Sequence, residues 1–195
     1  VRANLFLVPL DSKGHWYRYH HLFREMLLFW LEAHYSSEII ARIHRQAAEW
    51  FARNGYLDQA LRQLLEIGAV EEAGDLVEIA IPPALGREAW PNIKEMLDAL
   101  PAAVLAQRPV LLLAQAWLYS VLQRMGEVTD LLQQVDDLLH RQAEEGYWRE
   151  SPPWLPGWVH ALRCLDALLR WKMEEAISHA QQSLAQTPTS HVYVR

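Results

Sequence analysis

The residues that could ligate a metal are two adjacent histidines, His20 and His21, and a histidine and cysteine four residues apart, His160 and Cys164. Neither pair makes a complete site. Adjacent side chains at a strand-to-helix junction are expected to diverge, and no cysteine or carboxylate stands at ligand spacing to His20 and His21. His160 and Cys164 share a helix face but offer only two ligands, so a core cysteine beside a histidine is expected. The carboxylate pairs Glu71-Glu72, Asp136-Asp137 and Glu174-Glu175 are the candidates for acid/base work. They fall on polar helical faces, where solvation is the ordinary account, and Asp75 and Glu78 are expected to face water beside the first pair. The sequence holds no glycine-rich phosphate loop, nucleophile elbow or HExxH helix, so neither enzyme activity nor a metal or cofactor is expected of it.

Flat apolar surfaces remain. Nine tryptophans stand among the 195 residues, and indole faces stack on sugars, peptides and other flat groups. Tyr147, Trp148 and Trp154 lie in a proline-rich, loop-like stretch, GYWRESPPWLPG, and are the candidate ligand- or partner-binding residues. Trp50, Trp117 and Trp171 fit helical runs and are expected to fill gaps between helices.

Composition narrows the class of protein. Half of the residues are apolar (51%) and the net charge is −6, which allows a packed core and disfavours nucleic acid as a partner of this surface. The single cysteine rules out an internal disulfide framework and fits a reducing cytoplasm. The longest apolar run, residues 110–122, is shorter than the ~20 residues needed to cross a bilayer, so no membrane association is expected. The chain opens with Val1-Arg2-Ala3 and ends at Arg195 without a stop signal, and reads as a piece of a longer protein.

The elements follow from periodicity. Residues 4–10 and 15–20 are short aromatic and β-branched runs around Asp11-Ser12-Lys13-Gly14, which predicts a β-hairpin. Residues 22–34 then form a helix with Phe23, Met26, Leu27, Trp30 and Leu31 inward, and the combination reads as the end of a winged helix. Residues 47–68, AAEWFARNGYLDQALRQLLEIG, read as two helices folded back at Gly55, with Ala60 at their closest approach. This resembles a tetratricopeptide hairpin, which buries its apolar stripe only against neighbouring hairpins. Residues 69–85 form a helix ended by Pro82-Pro83 and Gly86, and 90–100 a further one. Gly126 then plays the part of Gly55 after the long helix 110–123, and the interval of 71 residues between these glycines is close to two repeats of ~34. Helices 158–171 and 174–185 close the array. The fold class is therefore all-α, with TPR-like helical hairpin repeats in a right-handed superhelix. It is preceded by the short β-hairpin of a winged-helix remnant, divided as 1–35 and 36–195.

The runs NLFLVPLDSKGHWYRYHHLFREML, IHRQAAEWFARNGYLDQALRQLLEIG and LDALPAAVLAQRPVLLLAQAWL together resemble the MalT-like, LuxR-type transcriptional regulators, signal-transduction ATPases with numerous domains. The resemblance implies an upstream nucleotide-binding module, a winged-helix region, a helical-repeat sensor and a C-terminal helix-turn-helix that alone binds DNA. It implies ATP or ADP in the full-length protein and none in this segment. It places an ADP-contacting histidine at His20 or, in the alternative, at His21. It also implies a small-molecule inducer or a regulatory protein as partner, self-association of the full-length protein, and a cytoplasmic setting. The expected role is that of sensor and switch segment; the rival is a protein-scaffolding repeat module with no nucleotide linkage.

Overall fold

A computed structural model of the chain describes residues 6–12, 15–145 and 152–188. Tyr147 and Trp148 lie outside the described residues, as do Lys13 and Gly14 of the expected turn. The chain begins with a two-stranded antiparallel hairpin, β1 (Leu7–Pro9) and β2 (Tyr17–Tyr19), registered Leu7 to Tyr19 and Pro9 to Tyr17. Asp11 closes it, its carboxylate accepting from the backbone N–H of His15 at 2.9 Å and of Trp16 at 3.2 Å. Ten helices follow among the described residues. They are α1 (His21–His34), α2 (Ser37–Arg53), α3 (Leu57–Glu66), α4 (Val70–Gly86), α5 (Trp90–Ala99), α6 (Ala102–Leu105), α7 (Pro109–Val121), α8 (Met125–Glu145), α9 (Leu155–Leu169) and α10 (Met173–Gln186). They fold as hairpins α2/α3, α4/α5, α7/α8 and α9/α10, and neighbouring hairpins touch in chain order through α3 with α4, α5 with α7, and α7 with α9.

One turn is used five times. Gly55, Gly68, Glu88, Gln123 and Trp171 all have positive φ, between 53° and 81°. In each case the N–H of the next residue donates to the carbonyl five positions back: Tyr56 to Phe51, Ala69 to Leu64, Ala89 to Ala84, Arg124 to Tyr119 and Lys172 to Ala167, all at 2.9–3.0 Å. This is the hydrogen bond that closes a helix with a left-handed residue. The residue five places after each turn is fully buried in the following helix: Ala60, Ala73, Ile93, Val128 and Ala176 are 0–2% exposed. The repeat is thus real, but its phase differs from the expected one. Gly126 lies inside α8, and Gln123 makes the turn in its place. The within-hairpin turns at 55, 88 and 123 are 33 and 35 residues apart, which brackets the 34-residue period.

Two further expectations are corrected. Helix α4 does not end at Pro82-Pro83; it runs through both to Gly86, because Ile81, Ala84 and Leu85 are buried on its core face and packing outweighs the lost backbone donors. Helix α1 buries no residue at all: Met26, Phe29 and Trp30 are half to three-quarters exposed, and only Phe23, Leu27 and Leu31 are partly covered.

The acidic face of α4 is not simply solvated. Arg108, 1% exposed, reaches from the turn before α7 to Glu71 (2.5 Å), Asp75 (2.7 Å) and Glu78 (3.4 Å), and its guanidinium also donates to the Glu71 carbonyl at 2.8 Å. Gly74 makes the room. A Cβ there would stand 2.6 Å from the Arg108 Cζ. Burial pushes the Glu78 carboxyl up from the usual carboxylate range, against the pull of Arg108. Glu72 is also taken, by Arg45 of α2, whose Nε donates to both carboxylate oxygens at 2.8 and 3.0 Å. The salt links therefore run across hairpins, from α2 to α4 and from α4 to α7.

Two substitutions test this. Arg108→Met leaves Glu78 without its cation and is expected to cost about 3–5 kcal/mol of unfolding free energy, measured by urea denaturation; a loss under about 1 kcal/mol would contradict the buried tie. Gln123→Gly relieves a left-handed side-chain conformation and is expected to stabilise by about 1 kcal/mol, a rise of roughly 2–4 °C in Tm; a fall would contradict the assigned turn.

Candidate functional site

The first two hairpins enclose a groove. Its upper part, about 240 Å³, is lined by the turn and first residues of α3 and by the α4–α5 turn, with Tyr56, Asp58, Gln59, Arg87, Asn92 and Met96 among its walls. A second hollow of about 220 Å³ continues it and shares Asp58 and Met96, adding Arg62 and Glu95 to the rim. The shape follows from the repeated turn. Gly55 and Glu88 reverse the chain at matching points of two successive hairpins, which sets the starts of α3 and α5 beside each other. The floor is apolar, formed by Leu57, Ala84, Ala89 and Met96. The side chains of Asp58, Gln59, Arg87 and Asn92 have no hydrogen bond or ion pair to any described residue.

Tyr56 belongs to two structures at once. It lines the groove, and its ring meets Trp16 of the β-hairpin edge-on at 5.0 Å. Trp50 stacks nearly parallel to Tyr56 at 6.2 Å, and Phe51 stands perpendicular to it at 6.4 Å. The N-terminal hairpin therefore touches the repeat array through an aromatic cluster at the wall of the groove. Sequence reasoning missed Tyr56, Arg87 and Asn92 as site residues. The available signal was the glycine turn itself, since whatever follows Gly55 must face the next hairpin.

The residues expected from the sequence fall elsewhere. His20 is exposed, immediately before α1, and its side chain makes no capping hydrogen bond. It does not diverge from His21; the two rings lie 4.4 Å apart at 34°. Trp154 is half-buried on Trp158, with ring centroids 4.4 Å apart. Trp117 is a core residue at 8% exposed, as expected, whereas Trp171 is 85% exposed, since it occupies a left-handed turn position that points its side chain away from the helices. Asp136 of the second carboxylate pair is bound by Arg163, and Asp137 accepts from Gln133 at 2.8 Å. Glu175 pairs with Lys172.

His160 is not placed by Cys164 but by His179 of α10, Nδ1 to Nδ1 at 3.0 Å with the rings stacked at 28°. Such a contact needs one nitrogen to carry the proton and the other to be bare. Burial first, then His179 and Arg163, hold the His160 pKa below the ordinary imidazole value, with Asp136 pulling the other way. The sign follows from linkage. A depressed histidine pKa means that the unfolded chain takes the proton first, so the stability is present in full above about pH 6.5 and is lost as pH falls toward the folded-state value. The expected outcome is a Tm that declines below pH 6.5 and a shallower decline in His160→Gln; identical pH profiles would contradict the pairing.

Residues 1–39 match the family model for the MalT winged helix domain. The HTH-type transcriptional regulator MalT of Cronobacter sakazakii is 32% identical over 197 residues, which covers 100% of this chain and 20% of that protein. MalT of Klebsiella pneumoniae is 29% identical over 194 residues with the same coverage. The serine/threonine-protein kinase PknK of Mycobacterium tuberculosis is 33% identical over 137 residues, 70% of this chain and 12% of the kinase. The chain thus spans about a fifth of the length of its MalT relatives. No solved structure matches it. Among the described residues no helix is long and apolar enough to cross a membrane. With a MalT winged helix domain at its N-terminus and similarity to MalT along its whole length, the chain is a segment of a MalT-like regulator.

Proposed function

We propose that the chain is the sensor and switch segment of a bacterial ATP-dependent, LuxR-type transcriptional regulator. In this reading residues 1–35 end the winged helix and 36–195 begin the helical-repeat sensor. The groove at Tyr56 receives a small inducer or a regulatory protein, and the β-hairpin passes the change to an upstream ATPase. The segment performs no chemistry itself. ATP or ADP is bound by the full-length protein with His20 at the nucleotide, DNA binds through a separate C-terminal module, and self-association follows the switch.

The observation that carries the reading is the contact of Trp16 with Tyr56, 5.0 Å between ring centroids, which joins the winged-helix hairpin to a groove residue of the first repeat. A ligand can shift an equilibrium only through a difference in its contacts with two states. A side chain that touches both the groove and the hairpin supplies such a difference. An aromatic pair of this kind contributes about 0.5–1.5 kcal/mol, equivalent to roughly a 2- to 12-fold change in a switch equilibrium.

Trp16→Ala in the full-length regulator tests it. The expected result is a change of that size in the rate of ADP release and in effector-dependent transcription, with the Tm of the repeat array lowered by no more than about 6 °C. ADP release and transcription both equal to wild type would leave a scaffold without nucleotide linkage.

A further inference from the structure

The upper groove holds an acid and a base that do not meet. Asp58 and Arg87 line the same cavity, and neither pairs with the other or with any described residue. Charges nearby are divided: Arg45 is taken by Glu72, Arg53 by Glu49 and Lys94 by Asp98, whereas Arg62 of the adjoining hollow, like Asp58 and Arg87, pairs with no described residue. Gln59 and Asn92 add two amides with the same lack of partners, each both donor and acceptor.

The chemistry of these walls selects its ligand. A simple anion meets Asp58, and a simple cation meets Arg87. A neutral polyol offers neither group a charge. A molecule with a carboxylate and an ammonium on adjacent positions satisfies both, because a guanidinium grips a carboxylate in a planar two-point contact and a carboxylate accepts from an ammonium. Size narrows the choice further: about 240 Å³ is below the range of drug-sized sites, so the occupant is a small metabolite. The floor of Leu57, Ala84, Ala89 and Met96 offers no polar side chain, so the ligand's own side chain is apolar.

We propose that this cavity binds a free α-amino acid with an apolar side chain, its carboxylate on Arg87 and its ammonium on Asp58, with Gln59 and Asn92 completing the hydrogen bonds. The proposal rests on the reading of the segment as a sensor and names its ligand class.

Isothermal titration calorimetry of the full-length protein tests it, with L-leucine and L-methionine against three controls: leucinamide, which lacks the carboxylate, 4-methylpentanoate, which lacks the ammonium, and glucose. Leucine or methionine is expected to bind, and each of the two singly charged controls at least about 10-fold more weakly, because a hydrogen bond to a charged group is lost in each. Arg87→Gln and Asp58→Asn are expected to weaken leucine binding by a similar factor and each to lower the ligand-free Tm by no more than about 4 °C, the loss of one helix-end charge, since Arg87 is the C-cap of α4 and Asp58 stands in the first turn of α3. Absence of heat with both amino acids would overturn the proposal, as would leucine binding that survives both substitutions. Glucose binding abolished by Arg87→Gln would overturn the amino-acid assignment while leaving the sensor reading intact; that reading fails only on the Trp16→Ala result.

Discussion

A single guanidinium, buried to 1%, holds the middle of this chain together. Arg108 sits between two hairpins and faces three carboxylates of α4, only one of which, Glu78, is largely covered. A buried charge is stable only when its hydrogen bonds are complete, so the position of α4 relative to α7 is defined within hydrogen-bond tolerance. Gly74 belongs to the same constraint, because any side chain there would occupy the space of the guanidinium. The groove is built from the end of α4 and the helix it feeds, α5, and its geometry is therefore referred to the same fixed point.

The second organising device is local. Five turns of one geometry reverse the chain, and each places the residue five positions later in full burial. That residue is alanine at Ala60, Ala73 and Ala176 and β-branched at Ile93 and Val128, and it is buried in every case. A hairpin of this kind leaves its other face apolar, and stacking on the next hairpin covers it. The aromatic cluster around Tyr56 applies the same logic at the N-terminal end, where a β-hairpin and not a helix pair provides the cover.

Much of this was legible in the residues. Gly55 announces its turn because glycine alone enters the left-handed region without cost, and Ala60 is read from its size. Glu88, Gln123 and Trp171 make the same turn with side chains that carry no such signal, so Gly126 attracted the assignment and the repeat phase slipped by three residues. The acidic face of α4 reads as solvated because periodicity reports which residues share a face and is silent on a cation that lies 33 residues beyond Asp75 and 37 beyond Glu71. Pro82 and Pro83 stop a helix by local rule, yet Ile81 and Leu85 are buried on either side of them, and that long-range packing decides. The groove was the least legible feature, since its walls come from two hairpins and its polar residues resemble ordinary surface until both are in place.

The central claim is that α4 and α7 form one cooperative body, fastened by Arg108, on which the groove is carried. Native-state hydrogen exchange of the unaltered protein in rising denaturant tests it most directly. The account predicts that the amides of Val77, Ile81, Leu111 and Leu113 converge on a common opening free energy. Opening of α7 at a free energy well separated from that of α4 would contradict it.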